Sequence, residues 1–121
     1  MRKLTAVFLA GVLHSTAQAQ AQDLMSQVVQ SSFKRMALAY MCRDAIGISH
    51  YQAARIAAEG VLQTVGSSAD EATLAVDELD KKFKADPRAK NPAADAGKCL
   101  EQMNEASHDL DVLLAKFRTQ K

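Results

Sequence analysis

Residues 91–117 read NPAADAGKCLEQMNEASHDLDVLLAKF, and their spacing decides the fold. Ala96, Leu100, Met103, Ser107, Leu110, Leu114 and Phe117 recur at alternating steps of four and three, with Cys99, Ala106 and Leu113 widening the stripe. That is one face of a long amphipathic helix. Asn91 followed by Pro92 is a cap-and-start pair, so the helix is expected to open there.

Working back toward the amino terminus, each preceding stretch has the same helical period and none alternates with period two. Ser68 with Glu71 forms a capping box, after which Ala72, Val76, Leu79 and Phe83 face inward until Asp86 and Pro87 end the run. Ser49 with Gln52 has the same form and opens a helix carrying Tyr51, Ala54, Ala58, Val61 and Val65, stopped by Gly66. The first helix is expected from about Asp23 to Ile46, ended by Gly47. Val29, Phe33, Met36 and Tyr40 form one of its stripes, and Leu38, Cys42 and Ala45 another. Ala53, Ala54, Ala57 and Ala58 permit close helix approach and need no functional explanation. The prediction is an all-α fold, a compact four-helix bundle in a single domain over residues 22–121.

The residues ahead of the bundle have a different character. Arg2 and Lys3 precede a ten-residue apolar run from Leu4 to Leu13, followed by small residues at Ala17, Ala19 and Ala21. This is the pattern of a cleavable signal peptide over residues 1–19, with a second acceptable junction after Ala21. The run is too short to span a bilayer, and no longer one follows, so no membrane span is expected. Neither junction precedes a cysteine, which argues against a lipid anchor. The expected location is periplasmic, exported and soluble.

Both cysteines, Cys42 and Cys99, lie beyond the leader, and in an oxidising compartment an even count reads as a disulfide. Closing so long a loop is worth about 4 kcal/mol in the chain-entropy model, a useful supplement for a small core. The whole chain is 121 residues, 48% hydrophobic and 24% charged, which excludes a disordered tail and a large multidomain enzyme. Without Arg2 and Lys3 there remain 13 basic and 14 acidic side chains, a balance with no footprint for nucleic acid.

Catalytic constellations are scarce. Only His50 and His108 lie beyond the leader, and no Gly-x-Ser-x-Gly, phosphate-binding glycine loop or Cys-x-x-Cys occurs, so an enzyme is not expected. Glu105 and His108 do have the Glu-x-x-His spacing of carboxylate-bridged metal bundles, with Glu101 nearby. The seam through Leu100 and Met103 turns all three outward, however, and a second Glu-x-x-His is missing, so a solvated helix face is the expectation. A haem held by Met25 and His108 fails on the same orientation, and no Cys-x-x-Cys-His is present. No metal or cofactor is expected.

Charge is unevenly spread. Lys81, Lys82, Lys84, Arg88 and Lys90 outweigh Asp86 in one decapeptide, whereas Asp95, Glu101, Glu105, Asp109 and Asp111 outweigh Lys98 further on. Such patches can steer a protein partner, because complementary charge raises association rates and selects partners. Lys84, Asp86, Arg88, Lys90 and Asn91, on the longest connection between helices, form the first candidate contact surface. Glu101, Glu105 and His108, on the outer face of the last helix, form the second.

The leader, the apolar close of the first helix in Leu38-Ala39-Tyr40-Met41-Cys42, the end of the second in Glu59-Gly60-Val61-Leu62 and the opening of the last in Lys98-Cys99-Leu100 together make a pattern. It resembles the periplasmic immunity proteins of type VI secretion amidase effectors, which are small, helical and often disulfide-bonded. The resemblance spans most of the chain beyond the leader and implies a protein that binds a secreted peptidoglycan amidase and occludes its active-site groove. No individual contact residue of that family is carried over. Two other classes share these features: a periplasmic acid-stress chaperone, and a structural or secretion-accessory bundle. Besides a protein partner, a homodimer is open on the sequence.

Overall fold

Every regular element among the described residues is helical. The computed structural model describes the backbone of residues 2–120 and the side chains of residues 20–120, so the leader expected over residues 1–19 lies outside the described side chains. The elements run α1 (Arg2–Met41), α2 (Arg43–Ile46), α3 (Ile48–Thr64), α4 (Ala69–Ala85), a 3₁₀ turn (Pro87–Ala89) and α5 (Ala96–Thr119).

The helix ends follow local chemistry; α1 runs back to Arg2, ahead of the start expected near Asp23, and three further boundaries depart from expectation. Ser68 caps α4 as expected: its Oγ accepts from Glu71 N–H at 3.1 Å and its hydroxyl donates to Glu71 Oε1 at 3.1 Å. Gly66, at φ 116°, ends α3, and Ser67 N–H donates back to Leu62 C=O at 2.9 Å. The first departure is at Cys42, where α1 stops and the chain restarts as the single turn α2. The second is that Ser49 caps nothing. Gly47, at φ 92°, has already turned the chain, so α3 begins at Ile48 and Ser49 falls inside its first turn.

The third departure is the start of α5, which is Ala96 and not Pro92. Asp95 is the cap, its Oδ2 accepting from Lys98 N–H at 2.9 Å. Asn91 spends its side chain on a tighter turn, accepting from Ala93 N–H at 3.1 Å, while its own N–H donates to Met41 C=O at 3.0 Å. That backbone bond fastens the connection to the end of α1, and four residues are then needed to bring the chain into line for α5.

α1 lies at the centre, packed against α5 on one side and α3 on the other, and α4 packs chiefly along α3. Met36, Ala39, Tyr40, Tyr51, Ala54, Ala58, Leu62, Ala72, Val76 and Met103 form the larger core cluster. A smaller one joins Val28, Val61 and Leu110. Leu24 is the first buried side chain among the described residues. The alanines at 54, 58 and 72 have no exposed surface, which is the close approach their size allows.

Cys42 and Cys99 are bonded, with Cα atoms 5.9 Å apart and a separation of 57 positions in sequence. The bond ties the end of α1 to the first turn of α5, as the cysteine count and helix order led us to expect. It also sets the facing of α5. With Cys99 turned inward, the buried positions are Cys99, Met103, Ala106 and Leu110, and Leu100, one residue and about 100° further round, is 42% exposed. Ala96 is exposed as well. The seam expected through Ala96 and Leu100 therefore runs one position away, through Cys99.

Candidate functional site

The two surfaces singled out by charge are built differently. The basic stretch ends α4 and continues through the 3₁₀ turn, where Asp86 Oδ1 accepts from Arg88 N–H at 2.9 Å. Hydrogen bonds from the Arg88 backbone, and then its guanidinium, hold the Asp86 carboxyl below the usual carboxylate range. Four of the five neighbouring cations have an acidic partner: Lys81 with Glu78 at 3.4 Å, Lys84 with Asp80 at 2.8 Å, Arg88 with Asp86 at 3.4 Å and Lys90 with Asp44 at 3.2 Å. Surface pairs of this kind add little stability, but they lower the net charge a partner meets. Of the five cations, Lys82 is the one with no carboxylate within 4 Å among the described residues. Glu78 and Asp80 come from the preceding turn of α4 and Asp44 from α2, so the local excess is reduced mostly by neighbours on the same helix and, at Lys90, by tertiary structure. The connection is also fastened at Asn91 and through Ala89, which packs against the core.

The acidic stretch keeps its charge. Glu101, Glu105, Asp109 and Asp111 are exposed on α5, and none has a basic group within 4 Å among the described residues. His108 is exposed among them. Among the described residues there is no group of three or more histidine, cysteine or carboxylate side chains placed to hold a metal ion.

Beside this face runs a groove of about 620 Å³ between α1 and α5, with Ala106, Val112 and Leu113 supplying apolar surface, Gln27, Gln30 and Lys34 lining the α1 side, and His108 and Asp109 on the α5 side. Two adjoining hollows carry it along α5 past Glu101, Asn104 and Glu105, and past Leu38 and Gln102. Val112 is 40% exposed there. The structure thus brings Glu105, His108 and Asp109 together with α1, a juxtaposition that spacing along α5 alone could not reveal. Met25 lines a different hollow, between α1 and the α3–α4 turn, from the two that His108 lines.

Sequence reasoning missed a third constellation. Asp80, only 6% exposed, accepts from Tyr51 Oη at 2.5 Å and pairs with Lys84, while Arg55 lies 3.9 Å from it and 2.6 Å from Asp77. Burial alone would raise the Asp80 carboxyl, but hydrogen bonds from Lys84 and Tyr51 and the charges of Lys84 and Arg55 outweigh it and hold the group below its ordinary value. Burial, then the bond to Asp80, pushes the Tyr51 phenol well up. Tyr51 packs edge-on to Tyr40 and Phe83, the latter stacked on Tyr40 at 5.3 Å, and Arg43 sits over the Tyr40 ring. An aspartate on the inward face of α4, in step with Val76 and Phe83, was the available signal.

Among the described residues no helix is long and apolar enough to cross a membrane. Compared with known proteins, the chain matches no family model, no characterised sequence and no solved structure.

Proposed function

We propose that this protein is an exported immunity protein that binds a periplasmic peptidoglycan amidase and inhibits it by covering its active-site groove, docking through the outer face of α5 and the adjoining α1–α5 groove. The observation that carries the docking surface is the contrast in charge compensation: the basic stretch is matched by Asp44, Glu78, Asp80 and Asp86, whereas Glu101, Glu105, Asp109 and Asp111 are unmatched. Unpaired carboxylates beside an apolar floor suit a partner presenting lysine or arginine around an apolar contact. The amidase itself is inferred from the leader and from the resemblance at residues 38–42, 59–62 and 98–100. The disulfide supports an inhibitor that docks without rearrangement, since a scaffold already rigid loses less entropy on binding.

Inhibition on this reading involves no chemistry by the chain. The acidic face speeds encounter, the groove supplies the apolar contact, and the enzyme's substrate is excluded by bulk. The test is association kinetics and inhibition with a purified cell-wall amidase of the cysteine-histidine class. Glu101→Lys, Glu105→Lys and Asp109→Lys together should slow association at least about tenfold at low salt and flatten its salt dependence. Arg88→Glu, on the connection, should leave both nearly unchanged. The opposite ranking would move the contact to the residues from Lys84 to Asn91, and no binding to the amidase would reject the immunity reading.

A further inference from the structure

We infer that α4 opens as a unit separate from the rest of the fold, and that the buried Asp80 cluster is the latch whose protonation releases it. The covalent layout gives the first reason. The disulfide joins the end of α1 to α5, and α1 packs along both α5 and α3, whereas α4 packs chiefly along α3. The second reason is the modest apolar content of α4. Ala72 and Val76 are its fully buried hydrophobics, with Ala75, Leu79 and Phe83 partly buried. Much of its attachment is therefore polar: Tyr51 and Arg55 reach across from α3 to Asp80 and Asp77.

The latch holds two carboxylates, the buried Asp80 and the half-exposed Asp77, of which Asp80 alone is enclosed by Tyr51. Asp80 faces Tyr51 and Arg55 from α3 and Lys84 from its own helix, with Asp77 sharing Arg55; from α1 the nearest contribution is Tyr40, whose ring touches Tyr51 and lies under Arg43 of α2. Tyrosine, arginine and lysine keep their protons below neutral pH, so protonating Asp80 leaves Arg55 and Lys84 without its charge and removes the strongest acceptor available to Tyr51. Gly66, at positive φ, and the connection after Asp86 flank α4 and provide its two pivots. Opening uncovers Tyr40, Tyr51 and Phe83 while the disulfide holds α1, α2 and α5 together. The inference is independent of where a partner docks.

Hydrogen exchange of the full, disulfide-intact chain, expressed as protection relative to the unstructured rate, tests it. In acid, protection over residues 69–85 should fall while residues 28–41 and 99–113 keep theirs. Asp80→Asn should show that loss already at neutral pH, at least about tenfold, and respond little to further acidification. Lys84→Gln leaves the Tyr51 bond in place and keeps the idea testable if Asp80→Asn does not fold. Removing the ammonium makes the carboxylate easier to protonate, so α4 should lose protection at a higher pH than in the parent chain. Loss of protection in step across all helices, or an onset unchanged by Lys84→Gln, would overturn the inference.

Discussion

Tyr51 and Asp80 show how much one polar contact can carry when it is buried. Tyr51→Phe keeps the ring against Tyr40 and Phe83 and removes a donor from a nearly enclosed carboxylate, which should lower stability by about 1–3 kcal/mol at neutral pH in urea unfolding. The deficit should shrink in acid. Because its folded carboxyl sits below the unfolded one, Asp80 contributes stability that is complete above about pH 4 and drains away as the pH falls through its folded value. Tyr51 is shifted upward, so its contribution is complete below about pH 10 and lost in stronger alkali, a loss that the phenylalanine variant should not show. His108 offers the contrast. It is exposed on α5, and His108→Ala should change the unfolding midpoint by no more than about 0.5 kcal/mol equivalent.

Helix starts are the places where individual elements can be tested. Ser68 and Asp95 satisfy backbone N–H groups that the helices leave open, so Ser68→Ala and Asp95→Ala should each reduce stability by about 1 kcal/mol. Ser49 lies inside the first turn of α3 and caps nothing, so Ser49→Ala should be neutral or slightly stabilising in the same measurement. Both serines precede a glutamine or glutamate by three residues. What separates them is Gly47, whose positive φ starts α3 before Ser49 can act, whereas Ser68 follows Gly66 by two residues and sits in extended backbone ready to cap.

At the level of the whole molecule the disulfide is the strongest long-range constraint. Replacing Cys42 and Cys99 by serine should lower stability by about 2–5 kcal/mol without abolishing helical circular dichroism in the cold. The parent protein should weigh about two mass units less before reduction than after, since two thiol hydrogens are absent. A truncated chain beginning at Gln22 should fold with the same midpoint as the full chain if the leader contributes nothing to the core, since the first buried side chain among the described residues is Leu24. A midpoint lowered by more than about 1 kcal/mol equivalent would give residues 1–21 a structural role.

Periodicity alone determined the all-α class, the four long helices and most of the buried positions, because a helix that packs must repeat its apolar residues near every 3.6 positions. Two cysteines with one pairing available determined the crosslink, and Ser68, Gly47 and Gly66 carried their turns in their own chemistry. Other features depended on residues far apart in sequence. Leu100 looked like a seam residue until the bond to Cys42 fixed which side of α5 faces in. Asn91 looked like a cap until its backbone was engaged by Met41. In the basic decapeptide Lys84 finds Asp80 one turn earlier on its own helix, but Lys90 was unmatched until Asp44 arrived from α2. Local pattern fixes the shape of each helix, since its causes lie within four residues. Facing, the Lys90–Asp44 pair and the contacts of Asp80 with Tyr51 and Arg55 are properties of pairs separated along the chain, and only tertiary structure brings those pairs within reach of one another.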